Sequence, residues 1–317
     1  MGIHEDAQEI RRLWSGFMSA RVLMTANNLE VFEHLQNRQN AIYIADQVHA
    51  SHRGIEILLD ALTSLGLLKK SGDTYQNTPI TQRFLVRGTP LYQGDIIRHA
   101  DTLWHNWSAL DDAVKTGNPQ HRAKDHDSFI RGMNNIAVLK AEKVIKAIDL
   151  KGVKRALDLG GGPGTYSAEL ARKGVAVTLF DVPETIKIAR EMLPSNSAVV
   201  FKEGDFLVDD LGDGYDLIFI SQILHSFSPA ENVRLLKKCK DALNPEGKVA
   251  VQEFYINDNR AFPPQSTLFS VNMLINTPDG RCYPPAEIKG FLTQTSFSYI
   301  RDKVIEDTVL ITGLNRG

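Results

Sequence analysis

The run Asp158-Leu159-Gly160-Gly161-Gly162-Pro163-Gly164-Thr165 closes a short apolar stretch, RALDL at 155–159. Glycines there let the backbone turn sharply and let a ligand approach where a Cβ would clash. A helix that follows offers unpaired N–H groups to a polar or negatively charged partner. A dinucleotide fingerprint needs Gly-x-Gly-x-x-Gly/Ala, but here Gly160 and Gly162 are followed by Thr165 in third place. The spacing is Asp-x-Gly-x-Gly-x-Gly, which favours methyl transfer over hydride transfer. Two more apolar runs end in acids. VAVTLF (175–180) runs into Asp181, a carboxylate suited to two ribose hydroxyls. AVVF (198–201) and Lys-Glu-Gly run into Asp205-Phe206, a carboxylate for an exocyclic amine beside a ring that can cover a purine. Acids at such places also serve as helix N-caps, and Asp181 could cap a helix starting near Pro183. After YDLIFI (215–220) comes His225, just before Ser228-Pro229-Ala230-Glu231. That tetrapeptide reads as N-cap, N1 proline and N3 glutamate of a capping box. A lone histidine is usually structural, but this one lies on the ligand edge beside a defined helix start, which supports a catalytic reading.

These residues need a scaffold, and the chain supplies one from about residue 154. Five short apolar runs, the four above and KVAVQEF (248–254), suit buried parallel strands. Helical segments lie between several of them, including TYSAELARK, PETIKIAREML and PAENVRLLKKCKDAL. The expected fold is α/β, a Rossmann-like doubly wound sheet over 151–317, with ligands beyond the carboxyl ends of the strands. Residues 1–150 read as mainly helical. Ala41, Ile44, Ala45 and Val48 share one helix face, and Ile55, Leu58, Leu59 and Leu62 repeat that spacing. LGLLKK, the turn SGD and TYQNT then fit a two-stranded wing, giving a winged-helix outline. A further helix is expected from about Ser128 to Ile148.

A winged helix raises DNA binding, which needs basic side chains on the second helix. His52 and Arg53 stand at its start, but Glu56 and Asp60 lie along its length, so a structural or dimer-forming module is preferred. Trp104, His105 and Trp107 read as packing aromatics. His121 and His126 fall in or beside the polar stretch 117–127 without partners at metal-ligand spacing. The 317 residues carry a net charge of −2, with 43% hydrophobic and 23% charged residues. That balance calls for neither nucleic acid nor an anionic membrane. No apolar run approaches the ~20 residues that cross a bilayer. Two cysteines, Cys239 and Cys282, make neither a disulfide framework nor a metal cluster. A cytoplasmic, metal-free protein is the expectation.

LDLGGGPGTYSAELA, FDVPETIKIAR, GDF, YDLIFISQILHSFSPAE and TPDGRCYPPAE together resemble the plant caffeic-acid type and bacterial small-molecule O-methyltransferases, over nearly the whole chain. The resemblance implies S-adenosylmethionine as cofactor, a small-molecule acceptor, and an N-terminal domain that forms a homodimer and closes the acceptor pocket. It implies cofactor contacts at Asp158, Gly160, Gly162, Asp181, Asp205, Phe206, Ser221 and Phe227. It implies His225 as general base, flanked by Glu253, and an acceptor wall of Phe129, Met133, Phe269, Asn272, Met273 and Asn276. Three departures stand out. The family's His-Asp-Trp is His225-Ser226-Phe227 here, Ser221 stands where plant members often have lysine, and Gly280-Arg281-Cys282 lacks a second acid common in plant members. Alternatives are methylation of carbon or nitrogen, a cofactor-binding relative with hydroxylase or decarboxylase chemistry, and a ligand-sensing DNA regulator.

Overall fold

The computed structural model describes residues 2–120, 123–194 and 197–316; His121 lies outside them. The chain divides into two compact units, Met1–Leu103 and Trp104–Gly317. The boundary expected at 150/151 therefore falls inside the second unit.

The first unit opens with a 26-residue helix, α1 (Ile3–Asn28). A 3-10 turn (Val31–Leu35) and a two-residue strand β1 (Gln39–Asn40) lead to α2 (Ala41–Gln47) and α3 (His52–Ser64). Asn40 caps α2 by accepting from Tyr43 N at 2.9 Å, and Ser51 caps α3 by accepting from Gly54 N at 3.1 Å. Ile44, Ala45, Ile55, Leu59 and Leu62 bury the faces read from the sequence against Phe32 and Leu35. The hairpin β2 (Leu68–Ser71) and β3 (Thr74–Asn77) follows, and β1 adds a third antiparallel strand in the order β1-β3-β2. Next come α4 (Pro79–Phe84) and α5 (Gly94–Trp107), whose last turn belongs to the second unit.

In the second unit α6 (Leu110–Thr116), α7 (His126–Ala137) and α8 (Ala141–Ala147) precede the sheet. The single helix expected over 128–148 is thus two helices. Lys140, at φ −131°, leaves the helical conformation, and its buried ammonium reaches Asp307 Oδ1 at 3.0 Å. That partner is 167 residues away, so helical periodicity carries no trace of the break. The parallel strands are β4 (Arg155–Leu159), β5 (Ala176–Asp181), β6 (Val199–Glu203), β7 (Tyr215–Ser221) and β8 (Leu243–Phe254). Their helices are α9 (Thr165–Arg172), α10 (Pro183–Met192) and α11 (Pro229–Ala242). After α12 (Pro264–Asn276) and α13 (Pro285–Gln294), the hairpin β9 (Ser298–Ile305) and β10 (Thr308–Leu314) completes an order β6-β5-β4-β7-β8-β10-β9.

Both faces of this sheet are covered. Leu217 and Phe219 pack on one side with Leu170 and Ile186, while Ile218 and Ile220 pack on the other with Leu235 and Leu236. A strand buried on both faces reads as a continuous apolar run, which is why β4 and β7 stand out in the sequence. Strand order reverses beside β4, so the crevice beyond the ends of β4 and β7 is where such sheets bind ligands.

Candidate active site

The loop after β4 is shaped by its glycines. Gly160, Gly162 and Gly164 have φ of 66°, 54° and 82°, the left-handed region where only glycine is at ease. A Cβ on Gly160 would meet Ile223 Cδ1 at 2.5 Å, whereas one on Gly162 would meet nothing within 4 Å. Gly162 is therefore the open side of the loop. Its N–H donates to Asp181 Oδ2 at 2.9 Å, and Val182 N–H donates to Asp181 Oδ1 at 2.8 Å. Those bonds tie the loop to the end of β5. Val182, not Asp181, is the N-cap of α10. Burial pushes the Asp181 carboxyl above the ordinary range, opposed by the two N–H groups.

Asp158 is buried at the end of β4. It is 1% exposed, accepts from Ser167 Oγ at 2.6 Å, and lies under Gly161, whose Cβ would meet its carboxyl carbon at 2.9 Å. Its contacts make it a support beneath the loop rather than a group offered to a ligand. Burial raises its pKa to about 7. Asp205 is exposed, and its Oδ1 accepts from Leu207 N at 2.9 Å. Phe206 and Phe227 meet edge to face with centroids 6.0 Å apart, and Phe206 also borders Gly160. The glycine loop and the two rings, which the sequence places 46 and 67 residues beyond Gly160, are thus brought together. Ser221 Oγ donates to Gln252 Oε1 at 2.8 Å, so that hydroxyl is already engaged.

His225 sits in the 3-10 turn Leu224–Ser226 that follows β7. Its Nδ1 is 2.7 Å from Glu253 Oε2, and its backbone N–H donates to Glu253 Oε1 at 3.3 Å. The two residues are 7% and 2% exposed. Glu253 comes from β8, which crosses alongside β7 with Ser221 opposite Gln252. Parallel pairing therefore sets one residue on each strand end against the other. The Phe269 ring stands edge-on to the His225 imidazole at 4.9 Å, and Phe254 lies 6.0 Å away. Gly280 closes the turn from behind. A Cβ there would strike Thr277 Oγ1 and meet the His225 carbonyl oxygen at 2.5 Å.

Phe269, Asn272, Met273 and Asn276 all lie on α12, with Asn272 and Met273 buried. Phe129 and Met133 lie on α7, Phe129 exposed and tilted toward His126 at 6.4 Å. Three supports escaped the sequence reading. Gln252 is fully buried and holds Ser221. Ser167 holds Asp158. Gln222 has φ 61°, and its buried side-chain oxygen has no partner among the described residues. A polar residue directly after an apolar strand run was the one available signal for Gln222.

A family profile described as an O-methyltransferase domain matches residues 107–298, and one described as an O-methyltransferase dimerisation domain matches residues 12–87. The chain belongs to the O-methyltransferase family. Among relatives of this methyltransferase, the 3-hydroxy-5-methyl-1-naphthoate 3-O-methyltransferase of Streptomyces sahachiroi is 31% identical over 307 residues, spanning 91% of this chain and 89% of that protein. The acetylserotonin O-methyltransferase of Macaca mulatta is 30% identical over 329 residues, spanning 94% and 95%. The crystal structure of human N-acetylserotonin methyltransferase in complex with SAM superposes with a TM-score of 0.93 at 26% identity, covering 100% of both chains.

Proposed function

We propose that this enzyme moves a methyl group from S-adenosylmethionine to the hydroxyl of a small aromatic acceptor, with His225 as general base and without a metal ion. The observation that carries the reading is the buried His225–Glu253 pair at 2.7 Å beside the open glycine loop. The family match favours oxygen over carbon or nitrogen as the atom methylated. Relatives include enzymes named for a hydroxynaphthoate and for acetylserotonin, which supports a flat acceptor.

The residues present fit the cofactor: Gly162 leaves room for a close approach beside Asp181, and the Phe206 ring, edge to face with Phe227, borders Gly160. Asp181 would take the ribose hydroxyls, Asp205 the exocyclic amine, and the two rings the purine. When bound, S-adenosylmethionine supplies the electrophilic methyl carbon. A phenol with a pKa of about 10 is mostly neutral at pH 7, so the acceptor needs a base. Glu253, an acceptor, holds the Nδ1 proton of His225 and leaves Nε2 bare to take the hydroxyl proton. The same carboxylate then faces the imidazolium that forms. Holding the oxygen in line with the methyl group supplies much of the rate.

Among the described residues there is no group of three or more His, Cys, Asp or Glu that could hold a metal ion. The winged-helix outline serves dimerisation in this proposal, not DNA. On α3 Asp60 pairs with the wing's Lys70 at 2.5 Å, neutralising a cation a phosphate would need. Support for a homodimer comes from the matched dimerisation domain and from apolar side chains exposed along α1, Ile10, Leu13, Trp14 and Phe17. No described helix is long and apolar enough to cross a membrane, and both cysteines are free; we assign the enzyme to the cytoplasm. The test is calorimetry with S-adenosylhomocysteine on wild type and Asp181→Ala, then methylation of naphthols by wild type and His225→Ala. Full turnover by His225→Ala would overturn the base assignment.

A further inference from the structure

The α12 wall contains a chain of carboxamides whose orientation can be worked out atom by atom. It starts at Ala123, whose backbone N–H donates to Asn106 Oδ1 at 2.8 Å. A backbone N–H can only donate, so it fixes which way Asn106 is turned. Asn106 Nδ2 then donates to Asn276 Oδ1 at 2.8 Å. Asn276 is thereby turned too, and its Nδ2 donates to Asn272 Oδ1 at 3.1 Å and to Asn272 O at 2.8 Å. An independent donor agrees: the indole N–H of Trp107, which also can only donate, reaches the same Asn272 Oδ1 at 2.9 Å. Both lone pairs of that oxygen are taken. What remains uncommitted on Asn272, among the described residues, is its Nδ2, a pair of N–H donors on a side chain whose residue is 9% exposed.

Asn272 lies three residues beyond Phe269, so both project from one face of α12. Phe269 is the ring set against His225. The free amide therefore stands about one helical turn, ~5 Å, from the catalytic end of the acceptor wall. Building on the site proposed above, we infer that Trp107 is a positioning residue that holds the Asn272 amide with its N–H groups toward the acceptor. The enzyme then selects acceptors with a carbonyl or other lone-pair oxygen at that distance from the methylated hydroxyl, and it discriminates against acceptors with a donor there. A buried donor left unpaired costs more than the bond contributes, so the discrimination exceeds the affinity gained.

The experiment uses full-length enzyme saturated with S-adenosylhomocysteine and three probes: 2-naphthol, its acetyl derivative and its aminomethyl derivative. Calorimetry measures binding, and kcat/KM with S-adenosylmethionine gives a second readout. Wild type is expected to favour the acetyl over the aminomethyl probe by roughly tenfold or more. Trp107→Phe should bring the two within about threefold, with S-adenosylhomocysteine affinity unchanged, because the freed amide can turn either face. Asn272→Asp should reverse the order, since Trp107 still occupies one oxygen and the other now accepts. A merely structural role for Trp107 would lower stability or weaken all probes alike. Equal binding of the two substituted probes to wild type, or a preference that survives both variants, overturns the inference. So does failure of every probe to bind while S-adenosylhomocysteine binds, an outcome that leaves the methyltransferase reading intact. Failure of S-adenosylhomocysteine itself would count against that reading instead.

Discussion

Replacing Glu253 by Gln tests the histidine's role more sharply than removing the histidine. The carboxylate makes two contacts, Oε2 to His225 Nδ1 at 2.7 Å and Oε1 to the His225 backbone N–H at 3.3 Å. Glutamine keeps the shape but has one oxygen and one NH₂. The backbone N–H can only donate, so it takes the oxygen and turns the NH₂ toward Nδ1. Nδ1 must then accept, the ring proton moves to Nε2, and the nitrogen that should receive the acceptor's proton no longer can. Charge is lost as well. A charge-assisted hydrogen bond in a buried pair contributes about 1.5–3 kcal/mol, and 1.36 kcal/mol is a factor of ten. Glu253→Gln should therefore lower kcat roughly 10- to 150-fold from the charge alone, and the tautomer change adds to that. The assay is initial rate at saturating S-adenosylmethionine with 2-naphthol and with a nitro-naphthol whose hydroxyl ionises more readily. The loss should shrink for the nitro compound, which needs less help from a base. S-adenosylhomocysteine affinity should not move. Undiminished kcat on 2-naphthol, or an equal loss on both acceptors, would refute the reasoning.

Gly280→Ala places a methyl group against Thr277 Oγ1 and the His225 carbonyl. It should displace the turn and cut kcat by roughly tenfold or more, since small misplacements at a reacting centre are costly, while calorimetry finds cofactor affinity retained. Asp158 gives a stability prediction. Its pKa is raised from 3.8 to about 7 by burial, on the order of 4 kcal/mol at 1.36 kcal/mol per unit. Because the folded value lies above the unfolded one, this group's contribution is most favourable below about pH 4, declines as pH rises toward 7, and is level above that. Asp158→Asn can keep the Ser167 bond and has no charge to bury, so its melting temperature should hold between pH 5 and 8 where wild type falls. Parallel melting curves would sink that account. Leu13→Lys with Trp14→Lys on α1, where the side chains are 64% and 59% exposed, should halve the mass seen by light scattering without lowering the melting temperature of the monomer.

What the sequence made legible was whatever local pattern dictates. The apolar runs of β4 and β7 read as strands because burial on both faces leaves little polar alternation, while β6 reads as one although Val200 is exposed at the sheet edge. Ser228-Pro229-Glu231 located the start of α11 because a capping box is a local device, and Ser228 N indeed donates to Glu231 at 2.9 Å. Helix α7 was placed, but its end was not, because the break at Lys140 answers to Asp307 across the chain. The hairpin β9–β10 escaped notice. In β9 only Ile305 is buried, as expected of an edge strand with a mostly solvated surface. Within the site, the sequence singles out residues at strand ends but gives no sign of the side chains that hold them. Ser167, Gln252 and Trp107 act through side-chain bonds that no spacing encodes. For Asp158 local pattern is silent on placement: an acid in a glycine motif looks alike from the sequence whether it faces a ligand or lies beneath the loop, where Ser167 bonds it.

The substitution at Cys282 bears on whether one carboxylate can orient the base. Cys282 is 2% exposed, its backbone N–H donates to Ser270 Oγ at 3.2 Å, and burial with the nearby Glu253 charge pushes its thiol up to about 11. The thiol is therefore neutral throughout the working range. A carboxylate in its place would set a second negative charge in a buried space that already holds Glu253, and like charges so placed do not both ionise readily. Glu253 meanwhile spends both oxygens on His225, one on the ring and one on the backbone. Two contacts from one rigid strand residue fix the tilt of the imidazole as well as its tautomer, so a second acid has little left to orient. Cys282→Ala should accordingly keep kcat within about threefold, the loss coming from a small cavity rather than from chemistry. Cys282→Glu should fail to raise kcat at pH 7 and should move the acid limb of the pH–rate profile to higher pH, because one of two coupled carboxyls holds its proton longer. A gain of tenfold or more in Cys282→Glu would mean that Glu253 alone leaves the histidine poorly held.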